Sequence, residues 1–274
     1  DHRDLHKEYR RQRQMCIRDS ESGGQNFKRI HTLGATNVAK ASARVGVSKL
    51  VHLSAIGSNP NSPSAYARTK AAGEKSMLEE FPKAIIIRPS LIFGPEDGFF
   101  NLFASLSRLS PVIPVFGCPA IPKMTMFSEK GPFNINFYGE GGTKFQPIYV
   151  GDVADAIIVA LEREETNGEI YEVGGPKVYT SKELMELLTT ITERKRILAP
   201  FPFWYLNLIA AILEVLPKPM LTQDQVKLLR YDNVVSKHAK NLNDLGLSGT
   251  SAEAILPTYL SRFRRPKSAE ASIS

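Results

Sequence analysis

The pattern of apolar and polar positions divides residues 26–90 into alternating helical and strand-like stretches. Over residues 26–45, Leu33, Val38, Ala41 and Val45 fall near helical spacing, and Gly46 follows as a stop. Residues 49–54 (KLVHLS) form a short apolar run that suits a buried strand. Residues 57–63 (GSNPNSP) carry turn chemistry. A second helix is predicted over residues 65–80. The run at 84–88 (AIIIR) has the character of a parallel strand covered on both faces. Strand, helix and strand in that order predict a βαβ unit with a right-handed crossover, so the chain is read as α/β.

Beyond residue 90 the pattern changes. Residues 99–109 (FFNLFASLSRL) place apolar side chains at helical spacing and read first as core, with the wall of a substrate pocket as the alternative. Residues 110–149 are rich in Pro and Gly, with strand-like runs at 133–138 and 144–150. A helix is predicted over 153–161, then a strand over 169–173 that ends at Gly174-Gly175-Pro176. Thr180 or Ser181 is placed to cap a helix over 182–192, with Glu183 in position for a capping box. Residues 201–216 (FPFWYLNLIAAILEVL) are the most apolar stretch; at 16 residues, with Glu214 inside, they are too short to span a bilayer. A core helix, an interfacial helix and a docking surface all fit this segment.

Composition narrows the class. The chain has 274 residues, 42% hydrophobic and 23% charged, the profile of a globular protein. Its two cysteines, Cys16 and Cys118, exclude a disulfide framework and point to a reducing compartment. The formal net charge is +7, and residues 1–20 hold six basic and four acidic side chains. That segment lacks apolar periodicity and the apolar core of a signal peptide. It is read as a non-native or disordered segment joined to a gene fragment that starts in mid-protein. The positive charge is not interleaved with aromatics, so no nucleic-acid partner is expected. The histidines show no metal-ligand spacing, and no metal site is expected.

The most chemically loaded stretch runs from Ser64 to Glu74 (SAYARTKAAGE). Tyr66 and Lys70 are four residues apart and share one helix face. An ammonium beside a phenol favours the phenolate and lowers a pKa that is ordinarily about 10. A tyrosine so placed exchanges protons with an alcohol or carbonyl near neutral pH. Spacing alone is a weak signal. Its weight comes from context: one strand ends at Ser54 before the pair, and another ends at Arg88-Pro89 after it. In open parallel sheets, ligands bind beyond the carboxyl ends of strands. Ala71, Ala72 and Gly73 would let another backbone or a cofactor approach closely.

Taken in order, GATNVAKASARVGV, KLVHLSAIG, YARTK with AAGE, IIIRPSLIFGPED and QPIYVGDVADAI resemble the extended and atypical short-chain dehydrogenase/reductases. Within that family they are most similar to the nucleotide-binding accessory subunits of respiratory complex I (the alpha subcomplex subunit nine type) and their bacterial relatives. The resemblance covers about Glu21 to Arg264. It implies an incomplete Rossmann-type parallel sheet with a smaller C-terminal α+β lobe, and NAD or NADP along the sheet edge. It also implies Tyr66 as the acid/base and Lys70 as the group that bonds the nicotinamide ribose. Ser54 would line the cofactor site, with the backbone from Pro89 to Ile92 facing the nicotinamide. Asp152 would stand at a helix start, in an N-cap role.

Two departures qualify the resemblance. No G-x-G-x-x-G or G-x-x-G-x-x-G arrangement precedes Tyr66, and Gly139-Glu140-Gly141-Gly142 reads as a turn between strands. The phosphate half of a dinucleotide site is therefore expected to be missing, and NAD(P)H to bind weakly or not at all. The second departure is Ser54-Ala55, where many extended members have two serines. Ser54 matches the first, and Ser58 could replace the second only if the loop folds back.

These readings combine into three regions: residues 1–20, a remnant NAD(P)-binding domain over 21–160, and a partner or substrate lobe over 161–274 with a basic tail. The resemblance implies a complex I-associated or quinone-linked protein that holds its nucleotide structurally. The alternative is an active epimerase, dehydratase or reductase that uses Tyr66. The partners expected are respiratory-complex subunits or a membrane surface, met through 201–216 and the tail. The location expected is cytoplasmic, or peripheral on the inner face of the inner membrane (the matrix side in a eukaryote).

Overall fold

The computed structural model describes residues 26–128, 131–216 and 219–265. Residues 1–20, set apart above, and the tail beyond Arg265 lie outside them. The first helix begins as a π-helical segment, Lys28–Gly34, and continues as α1, Ala35–Arg44. Gly46, at φ +69°, takes the left-handed conformation that ends it. Then follow β1 (Val51–Leu53), α2 (Ala65–Glu80), β2 (Ile85–Pro89), β3 (Ile92–Phe93), α3 (Phe99–Leu109) and β4 (Val112–Phe116). A hairpin, β5 (Lys123–Ser128) and β6 (Gly131–Asn136), leads to β7 (Lys144–Phe145), β8 (Ile148–Tyr149) and α4 (Val150–Glu162). The remainder is β9 (Ile170–Val173), β10 (Tyr179–Thr180), α5 (Ser181–Ile191), β11 (Ile197–Phe201), α6 (Phe203–Leu213), α7 (Gln223–Leu228) and α8 (Ala252–Leu260).

The fold is α/β, with β1, β2 and β9 forming a parallel sheet in that order. Strand β2 is its centre, and Ile85, Ile86 and Ile87 are fully buried. Their period-two alternation sends them to opposite faces. Ile85 and Ile87 pack with Val153, Ala156 and Ala160 of α4. Ile86 packs with Ala35 and Ala39 of α1 and Met77 of α2. Each buried isoleucine contributes about 2 kcal/mol of transfer free energy. Leu242 and Leu245, from far along the chain, complete the α4 side.

A second core holds the aromatic residues. Phe93, Phe100, Phe116 and Phe145 are buried there with Leu184, Met185 and Leu188 of α5 and Leu256 and Leu260 of α8. Helix α3 supplies Phe100 and Ala104 to it, the core role its spacing predicts. Thr180 caps α5 with Glu183 closing the capping box. Residues 139–142 form the turn between β6 and β7; a Cβ on Gly142 would lie 2.2 Å from the Phe116 carbonyl oxygen. The predicted run at 144–150 is divided: Gln146 and Pro147 separate β7 from β8, which pair with different strands. Pro147 has no N–H to offer a ladder.

Candidate functional site

Helix α2 brings Lys70 to the carboxyl end of the sheet. The Lys70 ammonium lies 5.9 Å from the centre of the Tyr66 ring. It donates to the carbonyl of Leu53, the last residue of β1, at 3.2 Å. Beyond β1 the chain stays beside β2: Ser54 N–H donates to the Ile87 carbonyl at 2.7 Å, and Ile56 N–H to that of Pro89 at 3.0 Å. The structure thus brings Ser54, Lys70 and Pro89 to one edge of the sheet. Ile92, half-buried, opens β3 three residues past Pro89 and pairs with Ile148. The loop after Ser54 does fold back: the Ser58 hydroxyl is 2.9 Å from that of Ser54 and donates to the Ala55 carbonyl at 2.8 Å.

The Tyr66 ring meets the start of the chain's first helix. It packs edge-on against His31 at 5.2 Å and Phe27 at 5.8 Å, and those two rings stack on each other. His31 Nδ1 is 3.0 Å from the Thr69 hydroxyl. Burial, followed by the field of Lys70, pulls His31 down to about 4. The same two causes, in the same order, pull His52 of β1 down to about 4. Both imidazoles are neutral near pH 7, so they add no repulsion to the ammonium.

Four contacts hold α2 in place. Ser64 caps it, its Oγ accepting from Ala67 N–H at 3.3 Å. The carboxylate of Asp224, on α7, accepts from the Ser64 hydroxyl at 2.7 Å, from Ala65 N–H at 2.8 Å and from Tyr66 N–H at 3.0 Å. A carboxylate at this end also meets the positive pole of the helix dipole. Gly73 lets the first helix in, since its Cβ would stand 2.2 Å from the His31 carbonyl oxygen. This is the close backbone approach that the small residues after Lys70 suggest. Finally Glu74 receives a bidentate pair from Arg88 of β2, at 2.9 and 2.6 Å.

Asp224 is a positioning residue that sequence reasoning does not reveal. Thr222 and Gln225 form a capping box that marks the start of α7. Nothing local connects that turn to Ser64, 160 positions earlier. Asp224→Ala removes a charged cap and is expected to cost about 2 kcal/mol. Urea denaturation measures it, and an unchanged midpoint would remove the capping role.

Asp152 corrects an expectation. It does stand in the first turn of α4, and it is buried, but Tyr149 occupies the N-cap position. The Asp152 carboxylate instead accepts from Thr250, from the backbone N–H at 2.6 Å and the hydroxyl at 2.8 Å. It ties the entry of α8 to α4.

The donor set at this edge fits one end of a dinucleotide. An ammonium and a phenol suit a nicotinamide ribose, whose oxygens need donors, while the Ser58 proton is given to the Ala55 carbonyl. No glycine-rich fingerprint precedes Tyr66 in the sequence to cradle a pyrophosphate.

The model of the NAD dependent epimerase/dehydratase family matches residues 11–174. The 40 kDa subunit of mitochondrial NADH-ubiquinone oxidoreductase from Neurospora crassa is 28% identical over 248 residues, covering 90% of this chain and 59% of that one. The mitochondrial NADH dehydrogenase [ubiquinone] 1 alpha subcomplex subunit 9 of Arabidopsis thaliana is 31% identical over 230 residues, 80% of this chain and 52% of that one. The chain thus spans between half and three-fifths of these relatives' length. Among solved structures, UDP-glucose 4-epimerase from Thermotoga maritima superposes with a TM-score of 0.58 at 18% identity, over 86% of this chain and 70% of that one. At that identity the likeness speaks for the fold.

Proposed function

The chain belongs to the NAD dependent epimerase/dehydratase family, and on that premise we propose that it binds NAD or NADP as a structural ligand in a respiratory complex I-like assembly. The observation that carries the reading is the Lys70 ammonium, held between the Tyr66 ring and the end of β1. When bound there, the nucleotide would present its nicotinamide and ribose to this edge. Lys70 and Tyr66 would hold the ribose, Ser54 would lie alongside, and the backbone from Pro89 to Ile92 would face the ring. Ala55, in place of a second serine, takes a hydroxyl from the position that would orient a substrate oxygen. The likeness to curated complex I subunits over most of the chain supports a partner in such an assembly.

The contact surface proposed for a neighbouring subunit is α6. Leu206 and Ala210 face the core, while Trp204, Leu208 and Ile212 are more than half exposed along one stripe. Among the described residues no helix is long and apolar enough to cross a membrane. The proposed location is peripheral, on the inner face of the respiratory membrane.

Saturation-transfer NMR with NADH, which registers weak binding, tests the nucleotide site. Transfer to the nicotinamide and ribose protons is expected, and it should fall at least tenfold in Lys70→Ala. No transfer from the unaltered chain would overturn the reading.

One observation favours a second reading, an active epimerase, dehydratase or reductase with Tyr66 as the acid/base. The Ser58 hydroxyl lies next to Ser54 and brings a second hydroxyl group to the place where Ala55 has none. Substrate-dependent NADPH oxidation that disappears in Tyr66→Phe would establish it and displace the structural role.

A further inference from the structure

Three segments distant in sequence converge at the carboxyl ends of α3, α5 and the turn Ser261–Phe263. The Arg196 guanidinium donates to the carbonyl of Ser107, in the last turn of α3, at 2.7 Å. Arg194 donates to the carbonyl of Phe263 at 2.8 Å, and Arg264 to that of Ile191, the last residue of α5, at 2.9 Å. Arg108, Lys195 and Arg265 stand exposed beside them. Burial first, then the fields of Arg196, Arg265 and Arg108, hold the Arg194 guanidinium below its ordinary range. Six cations therefore share one small area. Among the described residues the one acid in an ion pair with them is Glu193, on Arg264 at 3.2 Å.

Capping of helix carbonyls explains why Arg194, Arg196 and Arg264 point where they do. It leaves Arg108, Lys195 and Arg265 unexplained. It also leaves two large apolar side chains inside the cluster: Leu109 is 88% exposed and Ile197 is 67% exposed. Both lie where β4 begins: Leu109 closes α3 just before that strand, and Ile197 pairs with its first residue, Val112. Crowded like charges raise the free energy of a folded surface unless something anionic meets them. Arginines pinned by backbone bonds cannot spread apart.

We propose that this face, with Leu109 and Ile197 as apolar prongs beside Arg108, Lys195, Arg196 and Arg265, docks on an anionic phospholipid surface. The cations would meet headgroup phosphates, and the two prongs would enter the acyl boundary. A purely electrostatic polyanion site has no use for the prongs, and a purely apolar protein contact has no use for the cations. The combination fits a charged interface with an oily layer just beneath it. This surface is separate from the α6 stripe, and the proposal does not rest on the nucleotide reading.

The test is co-sedimentation of the full chain with vesicles of phosphatidylcholine alone and of phosphatidylcholine with 30% phosphatidylglycerol. Binding is expected to the second alone, and to weaken as salt rises from 50 to 500 mM. Each exposed cation near such a surface contributes about a fivefold factor. Arg108→Gln, Lys195→Gln and Arg265→Gln together should therefore lower the affinity roughly a hundredfold. Leu109→Ser with Ile197→Ser should lower it at least tenfold, leaving retention on heparin unchanged. All five positions are exposed or at the surface, and far-UV circular dichroism checks that the variants stay folded. Equal binding to both vesicles, or none to the anionic ones, overturns the proposal. So does an affinity for heparin or for polyglutamate that matches vesicle binding and ignores the serine changes, which would assign the face to a soluble polyanion or an acidic protein. NADH saturation transfer should be the same in every variant, so failure here and failure of the nucleotide reading are told apart.

Discussion

Arg88→Ala is expected to lower stability by about 3–5 kcal/mol, the cost of removing one partner from a buried ion pair. The Arg88 side chain is 22% exposed, and it bonds Glu74, 6% exposed, through two nitrogens. Its third nitrogen lies 3.6 Å from Glu172, 10% exposed, whose other oxygen accepts from Ser236 N–H. The Glu74 hydrogen bond is the largest of the effects that raise the Arg88 pKa. Without the guanidinium, two carboxylates remain in the interior facing each other. Thermal unfolding should begin about 10 °C lower for a chain of this length. The informative control is Arg88→Met with Glu74→Leu and Glu172→Gln, which removes the charges together and should recover most of the loss. A drop below about 1 kcal/mol in Arg88→Ala would show that water reaches the cluster and screens it.

Gly73→Ala should destabilise by about 3 kcal/mol, although alanine is the better helix former. Propensity alone predicts a gain of about 1 kcal/mol at a helix interior. The added Cβ, however, would sit 2.2 Å from the carbonyl oxygen and 3.1 Å from the carbonyl carbon of His31. Both are backbone atoms, so no rotamer change relieves the contact, and the first helix must move away. The rings of His31 and Phe27 would leave Tyr66 with it. The sign of the change decides the matter in a denaturation experiment: stabilisation would mean the two helices do not cross this closely.

The strand–helix–strand core was readable because its residues serve no competing demand. Ile85, Ile86 and Ile87 are apolar on both faces and are buried on both faces. Ser64 precedes a helix and caps it, and the helix ends at Glu80, ahead of Phe81 and Pro82. Lys70 reaches the end of β1 because helix geometry and parallel-sheet geometry agree at that point. Strands β4 and β11 were not readable. They pair with each other across more than eighty residues, and each carries a proline, which weakens a strand signal. Helix α8 contains Pro257, which interrupts a helical pattern. Asp152 misled because its position in the first turn suits a cap, while its partner, Thr250, is 98 residues away. Asp224 was hidden by a still longer separation. Local pattern reports local bonds; contacts set by the return of the chain leave no periodic trace.

The end of α6 is tied to the start of α7: both Glu214 oxygens accept from Gln223, at 2.7 and 2.9 Å. The next residue is Asp224, whose carboxylate grips the amino end of α2 at Tyr66. The oily stripe and the amino end of the helix bearing the phenol are therefore linked in series, through a few short polar bonds. A push on Trp204 or Ile212 would travel along that linkage as a tilt or slide of the helix bearing Tyr66 and Lys70. If the nucleotide proposed for Tyr66 and Lys70 is bound there, a load on the outer stripe and the ligand would act on each other with equal force.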